Sequence, residues 1–121
     1  MKIEGAATIF QVSDVDASIA FYTTILGFKL HFQYPNFAGL ELGEVILYLS
    51  GPGQEVKRAV GQGSIYIFCD DLNPFYEELS LKGTAIEVPI GDRSYGMRDF
   101  GINDPDGNAL SFGMSIQDDN N

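Results

Sequence analysis

The strongest constraint on this chain is an internal duplication. Thr8-Ile9-Phe10-Gln11-Val12-Ser13-Asp14-Val15-Asp16 reads as an extended run leading into a helix start, and Ile65-Tyr66-Ile67-Phe68-Cys69-Asp70-Asp71-Leu72-Asn73 reads the same way 57 residues later. Self-similarity at a fixed spacing marks a repeated supersecondary unit. Both extended runs are apolar on both faces, as a strand is when a helix covers one side and a pocket or second sheet the other.

The segments that follow also correspond. The first helix is expected over about Ala17 to Leu26, capped by Asp16 or Asp14 and stopped by Gly27; the second starts at Asn73 as cap, with Pro74 at its first position and Gly83 at its end. Three strand-like runs come after each helix. They are FKLHFQY, FAGLELG and EVILYLS in the first half, and TAIEVPI, MRDFGIN and NALSFGM in the second. Strand, helix and three strands, twice over, predicts an α+β fold of two βαβββ modules whose sheets curl towards each other. We place the modules at about 1–52 and 60–115 of a single domain, joined by the loop-like or partly helical bridge GPGQEVKRAVGQG, with a polar tail at 116–121.

At 121 residues and 45% hydrophobic, with nine Phe and six Tyr, the chain can bury a core and is not a disordered sequence. Its net charge of −10 makes nucleic acid a poor partner, because the phosphate backbone would be repelled. No secretory signal or apolar membrane span is legible, and Cys69 is the only cysteine, so the expected location is the cytoplasm.

Between the last two strands stands Asn103-Asp104-Pro105-Asp106-Gly107-Asn108. A calcium loop of the EF-hand kind needs Gly at its sixth position and Glu at its twelfth; counted from Asp104, Gly falls fourth and the twelfth is Ser115. The stretch is a turn: Pro fixes φ, Gly takes the left-handed position, and the Asp side chains bond the backbone.

That turn, with VSDVDASIA and FYTTILGF at 12–28, resembles the glyoxalase/bleomycin-resistance/extradiol-dioxygenase family, the vicinal oxygen chelate superfamily, over nearly the whole chain. The resemblance implies an eight-stranded mixed sheet curled into a cup around a small-molecule cavity, and a homodimer. Metal-dependent members hold one divalent ion. The matching positions here are Ala7 and Ser64, seven residues before a helix-cap Asp, Ser111, four past the turn glycine, and Leu47, four past Gly43. None offers imidazole, thiolate or carboxylate, so no metal and no other cofactor is expected. The one histidine, His31, reads as an exposed or edge residue. The alternative is a lyase or isomerase of the same superfamily, with Glu41, Glu87, Asp92 or Asp99 as a base or with a metal held by atypical donors, although solvated surface is the plainer role for each carboxylate. Cys69 reads as a buried hydrophobe, and Arg98 as a partner for Asp104 or Asp99.

Strand alternation then assigns the faces. Ala7 brings Ile9 and Gln11 into the cup; Ser64 brings Tyr66 and Phe68; Leu47 brings Val45 and Leu49; Ser111 brings Ala109 and Gly113. Phe10, Val12, Ile65, Ile67, Leu110 and Phe112 take the opposite, helix-covered face. Within the family the chain is most similar to the bleomycin-resistance branch, through PNFAGLELGEVILYLSG at 35–51, the Tyr66–Phe68 strand and SYGMRDFGINDPDGN at 94–108. This similarity implies metal-independent binding or sequestration of a small, aromatic or cationic molecule rather than turnover. The expected ligand-binding residues are Phe32, Phe37, Leu47, Ser64, Tyr66, Phe68, Tyr95 and Ser111, with no catalytic residue and no membrane partner.

Overall fold

A computed structural model describes residues 1–55 and 58–117, leaving Val56-Lys57 of the bridge and the last four residues of the tail outside the described residues. The elements run β1 (Thr8–Gln11), α1 (Val15–Thr24), β2 (Lys29–Tyr34), β3 (Phe37–Leu42), β4 (Val45–Ser50), β5 (Ser64–Phe68), α2 (Asn73–Leu81), β6 (Ile86–Asp92), β7 (Met97–Asn103) and β8 (Ala109–Ser115). The α+β class and the doubled βαβββ order are those the repeat implies. Among the described residues the bridge shows turns and no helix. The chain divides into two compact units, one of Met1–Gly63 with Asp104–Asn108, the other of Ser64–Asn103 with the residues from Ala109 on.

Each unit holds one four-stranded mixed sheet, and the two have the same plan. Strand order is β1-β4-β3-β2 in the first and β5-β8-β7-β6 in the second. The first strand runs parallel to the last of its unit, and the other pairs are antiparallel.

Local chemistry sets the helices. Asp14 is extended (φ −147°, ψ 106°) and its carboxylate accepts the Ala17 N–H at 3.1 Å, so it, not Asp16, caps α1. Helix α2 differs from expectation. Leu72 is already helical in backbone (φ −82°, ψ −33°), so Asn73 lies inside the first turn; its amide oxygen instead accepts from Arg98 Nη1 at 3.5 Å.

In the first unit Phe10, Ala38, Leu40, Leu47 and Leu49 are buried, as are Val15 and Tyr22 of α1. In the second, Phe100 and Phe112 stack at 5.5 Å beneath Phe75 and Tyr76 of α2, and Ile67 and Leu110 are buried beside them. Burying side chains of this size stabilises by about 1.5–3 kcal/mol each.

The Asp-Pro-Asp-Gly turn is a fastening inside the first unit. Gly107 takes φ +99° and its N–H donates to Asp104 O at 3.0 Å. The buried Asp104 carboxylate accepts four N–H or O–H groups at 2.9 Å: the Asp106 and Asn108 backbone, the Asn108 amide and the Tyr22 hydroxyl. Asn108, fully buried, accepts the Gly63 N–H and donates to Gln11 O. Asp106 takes the N–H and hydroxyl of Ser13 at 3.1 and 2.6 Å. Burial first, then the neighbouring Asp104 charge and hydrogen bond, push the Tyr22 phenol far above its ordinary range, so it stays a neutral donor.

Candidate functional site

Each sheet buries one face under its own helix and leaves the other open. In the first unit, register sets Ile9 beside Tyr48, Tyr48 beside Gly39, and Gly39 beside Phe32; Phe37 pairs with Ser50. The open face is therefore Ile9, Tyr48, Phe32 and Phe37, and it is aromatic. Phe32 lies 6.0 Å from Phe37 and 5.4 Å from Tyr48, and Phe37 is 5.4 Å from Tyr48. Gly39 makes this possible, because a Cβ there would sit 2.2 Å from the Phe32 ring. A cavity of about 310 Å³ adjoins the cluster, with Ile9 and Phe37 as its apolar wall and Gln11, Ser50, Glu55 and Arg58 as its polar end.

Leu47 does not belong to this face. It pairs with Thr8 and Leu40 and is 1% exposed on the helix side, and Val45 and Leu49 share its parity. Counting four residues past Gly43 lands one short, because the β3–β4 turn has two residues, Gly43-Glu44, and the β7–β8 turn has five, Asp104 to Asn108, so the two glycines are not equivalent. Tyr66 pairs with Ser111 as Ile9 pairs with Tyr48, so the counterpart of Ser111 is Tyr48. The open face gains a phenol where an aliphatic side chain was expected.

In the second unit the open face carries Ser64, Tyr66, Phe68, Ser111 and Asp99, with Gly113 and Gly101 between them. Ile67, Leu110 and Phe112 are buried on the other side, as alternation implies, and Phe68 is 77% exposed. Asp99 is the centre of the polar part. It lies between Gly91 and Gly113 in the sheet register, and both glycines clear space for a neighbour. A Cβ on Gly113 would lie 2.0 Å from the Tyr66 hydroxyl, and one on Gly91 would lie 2.9 Å from Arg93 Nη1. Through these gaps the Tyr66 and Tyr95 hydroxyls donate to Asp99 Oδ2 at 2.9 and 2.5 Å, while Arg93 Nε donates to Oδ1 at 2.7 Å. Tyr95 comes from the β6–β7 turn and its ring is exposed.

The titration of this cluster follows from its bonds. Burial alone would raise the Asp99 carboxyl, but hydrogen bonds from Tyr95, Arg93 and Tyr66 outweigh it and hold the group below the usual carboxylate range. Burial first, then the Asp99 hydrogen bond and charge, push Tyr66 up to about 12. Tyr95 is raised chiefly by its bond to Asp99. Asp99 is thus a saturated acceptor and a poor proton-abstracting base.

The ion pairs differ from those expected. Arg98 pairs with Asp92, Nε to Oδ1 at 2.6 Å, and Arg93 takes Asp99. Alternation explains it: Arg98 and Asp99 point to opposite faces of β7, so the carboxylate that Arg98 reaches is its cross-strand neighbour Asp92. His31 is exposed on the edge strand β2. Cys69 is half-buried with Sγ 3.5 Å from Gly113 O, and burial, then Asp70 and Asp71, push its thiol up, away from nucleophilic use. A further depression of about 510 Å³ at the start of α1 is polar; Asp14 there caps the helix and Asp16 accepts from Gln33.

Divalent metal fits these faces badly. The donors at the matching positions are an alanine methyl, two serine hydroxyls and the Tyr48 phenol, none of them imidazole, thiolate or carboxylate. Among the described residues no group of three or more His, Cys, Asp or Glu converges as a metal site.

These features define a class: an α+β protein made of a duplicated βαβββ unit, with ring-lined open sheet faces in place of an ion-binding set. The model of the glyoxalase/bleomycin resistance protein/dioxygenase superfamily matches residues 6–112, and the chain belongs to that family. A bleomycin resistance protein of Geobacillus stearothermophilus is 28% identical over 122 residues, covering 88% of this chain and 92% of that one. The bleomycin-binding protein of bleomycin-producing Streptomyces verticillus, solved with copper(II)-bleomycin, is 27% identical with a TM-score of 0.76, over 93% and 96% of the two chains. A lactoylglutathione lyase of Agrobacterium tumefaciens shares the fold at a TM-score of 0.79 and 22% identity, over 94% and 95%.

Proposed function

We propose that this protein binds and sequesters a small aromatic or cationic molecule without metal and without turning it over, working as a cytoplasmic homodimer. The observation that carries the reading is the open face of the first unit. Phe32, Phe37 and Tyr48 present a ring cluster beside a cavity of about 310 Å³, in a chain of net charge −10. Rings supply stacking and cation–π attraction worth about 0.5–2 kcal/mol each, and the negative field concentrates cations. The similarity to bleomycin resistance and bleomycin-binding proteins supports the same class of ligand, and Ser64, Tyr66, Phe68, Tyr95 and Ser111 offer a second open face. Asp99, the carboxylate of the second open face, is a saturated acceptor, which disfavours a lyase or isomerase that would use it as a base.

Thermal shift against bleomycin and a panel of cationic and anionic aromatic metabolites tests the reading. A ligand at 100 times its Kd adds about 2.7 kcal/mol to stability, an easily seen rise in Tm. The expected result is a rise with cationic or aromatic compounds in the presence of a chelator. A panel without any stabilising compound, or one stabilising only with added divalent metal, would overturn it.

A further inference from the structure

We propose that the Tyr66–Asp99–Tyr95 cluster of the second unit is a hydrogen-bond-accepting subsite that selects planar ligands bearing N–H donors, such as amidinium or guanidinium groups. This rests on the binding reading above and names the chemistry of one of its faces.

A phenol has one proton and two lone pairs on its oxygen. Both phenols of the cluster point their only proton at the same oxygen, Asp99 Oδ2. Asp99 cannot release them, since its other oxygen is taken by Arg93 and it is 5% exposed between two glycines. What the two hydroxyls can still offer a ligand is therefore acceptance alone. Donation to a carboxylate also polarises each phenol oxygen and strengthens it as an acceptor. Both oxygens lie within a hydrogen bond of that one carboxylate oxygen, so they are neighbouring acceptors within reach of the N–H groups of one flat cation. Ring faces stand alongside: Phe68 lies 5.2 Å from Tyr66 and is 77% exposed, and Tyr95 is 61% exposed. A flat cation can lie on these rings while its N–H groups reach the phenols.

The donors left in the cluster are on Arg93, which also faces the Tyr95 oxygen and whose Nη1 lies towards Gly91 on β6, whereas Tyr66 reaches Asp99 from β5 across Gly113 on β8. Arg93 Nε and Nη2 are committed to Asp99 and Pro89 O. An anion would thus find its donor on the β6 side of Asp99, away from the Tyr66 and Phe68 rings.

The test uses benzamidine and benzoate, flat ions of the same size and opposite hydrogen-bonding sense. NMR titrations of the full chain with labelled Tyr and Phe rings are run on the native protein, Tyr95→Phe, and Tyr66→Phe/Tyr95→Phe, with melting curves confirming that each variant folds. The expected result is a saturable benzamidine shift at Tyr66, Tyr95 and Phe68, at least fivefold weaker in the double variant, with benzoate at least tenfold weaker than benzamidine. Benzoate binding there as well as benzamidine, no benzamidine shift at those rings, or an unchanged affinity in a folded double variant would overturn the proposal. Bleomycin stabilising the native chain and both variants equally would also sink this subsite while leaving the sequestration reading standing. Benzamidine binding without any panel hit would do the reverse.

Discussion

Replacing Gly113 by alanine tests the architecture of the second open face with one methyl group. The added Cβ would stand 2.0 Å from the Tyr66 hydroxyl, about 1.4 Å inside the 3.4 Å at which ordinary contact begins. Strand β8 is hydrogen-bonded on both sides, to β5 and β7, so the phenol must move rather than the backbone. Moving it by that amount stretches its 2.9 Å bond to Asp99 beyond hydrogen-bond length. Stability falls by about 1–3 kcal/mol, the cost of leaving the buried Asp99 acceptor short of one donor. The Tyr66 phenol, held at about 12 partly by that bond, titrates nearer the ordinary tyrosine value of about 10. A pH titration of ¹³C-labelled tyrosine rings reads the change directly. If Tyr66 of the Gly113→Ala protein still titrates near 12 and the chemical-denaturation midpoint is unmoved, the phenol does not occupy the space that Gly113 leaves, and the reasoning fails.

Other perturbations follow from the same contacts. Asp104→Ala strands the buried Tyr22 hydroxyl and Asn108 amide as well as two backbone N–H groups; urea denaturation should show a loss of about 3–5 kcal/mol, and a loss under 1 would contradict the fastening role. The Asp99 cluster shapes both ends of the pH–stability curve. Because Asp99 is depressed, its contribution is complete above the unfolded value of about 3.9 and is lost as pH falls through the lower native value. Because Tyr66 is raised, its contribution is complete below about 10 and is lost as pH rises from there through about 12. Melting curves across pH for Asp99→Asn should show the acid limb flattened, and an acid limb identical to the native one would contradict this. On the first face, Phe37→Ala should weaken any ligand found in the thermal-shift panel by about tenfold, a loss of about 1.4 kcal/mol within the range for a ring contact; calorimetry with an unchanged affinity would remove Phe37 from the site.

Much of this was legible from order and spacing. The repeat gave the doubled βαβββ plan, and period-two alternation put Phe10, Ile67, Leu110 and Phe112 on buried faces, where they lie. The misreadings have local causes. A count of residues from Gly43 puts Leu47 on the open face, whereas faces are fixed by strand pairing, and a shift of one residue inverts every assignment after it. Arg98 is the residue next to Asp99, yet neighbours on a strand point apart, so Arg93, six residues away around the β6–β7 turn, takes the carboxylate. The Asp99 cluster has a signal of its own in the sequence. Pairing outward from the Asp-Pro-Asp-Gly turn sets Asp99 opposite Gly113, and a glycine there leaves room for an aromatic to lie across the strand.

The account stands or falls on whether the open faces hold an organic molecule with no ion to help. Isothermal titration of chelator-treated protein with metal-free bleomycin, which the similar Streptomyces verticillus protein binds, asks this in one experiment. The account predicts saturable binding that added zinc, manganese or nickel leaves unchanged. Heat appearing only after a divalent metal is restored at about one ion per chain would contradict it.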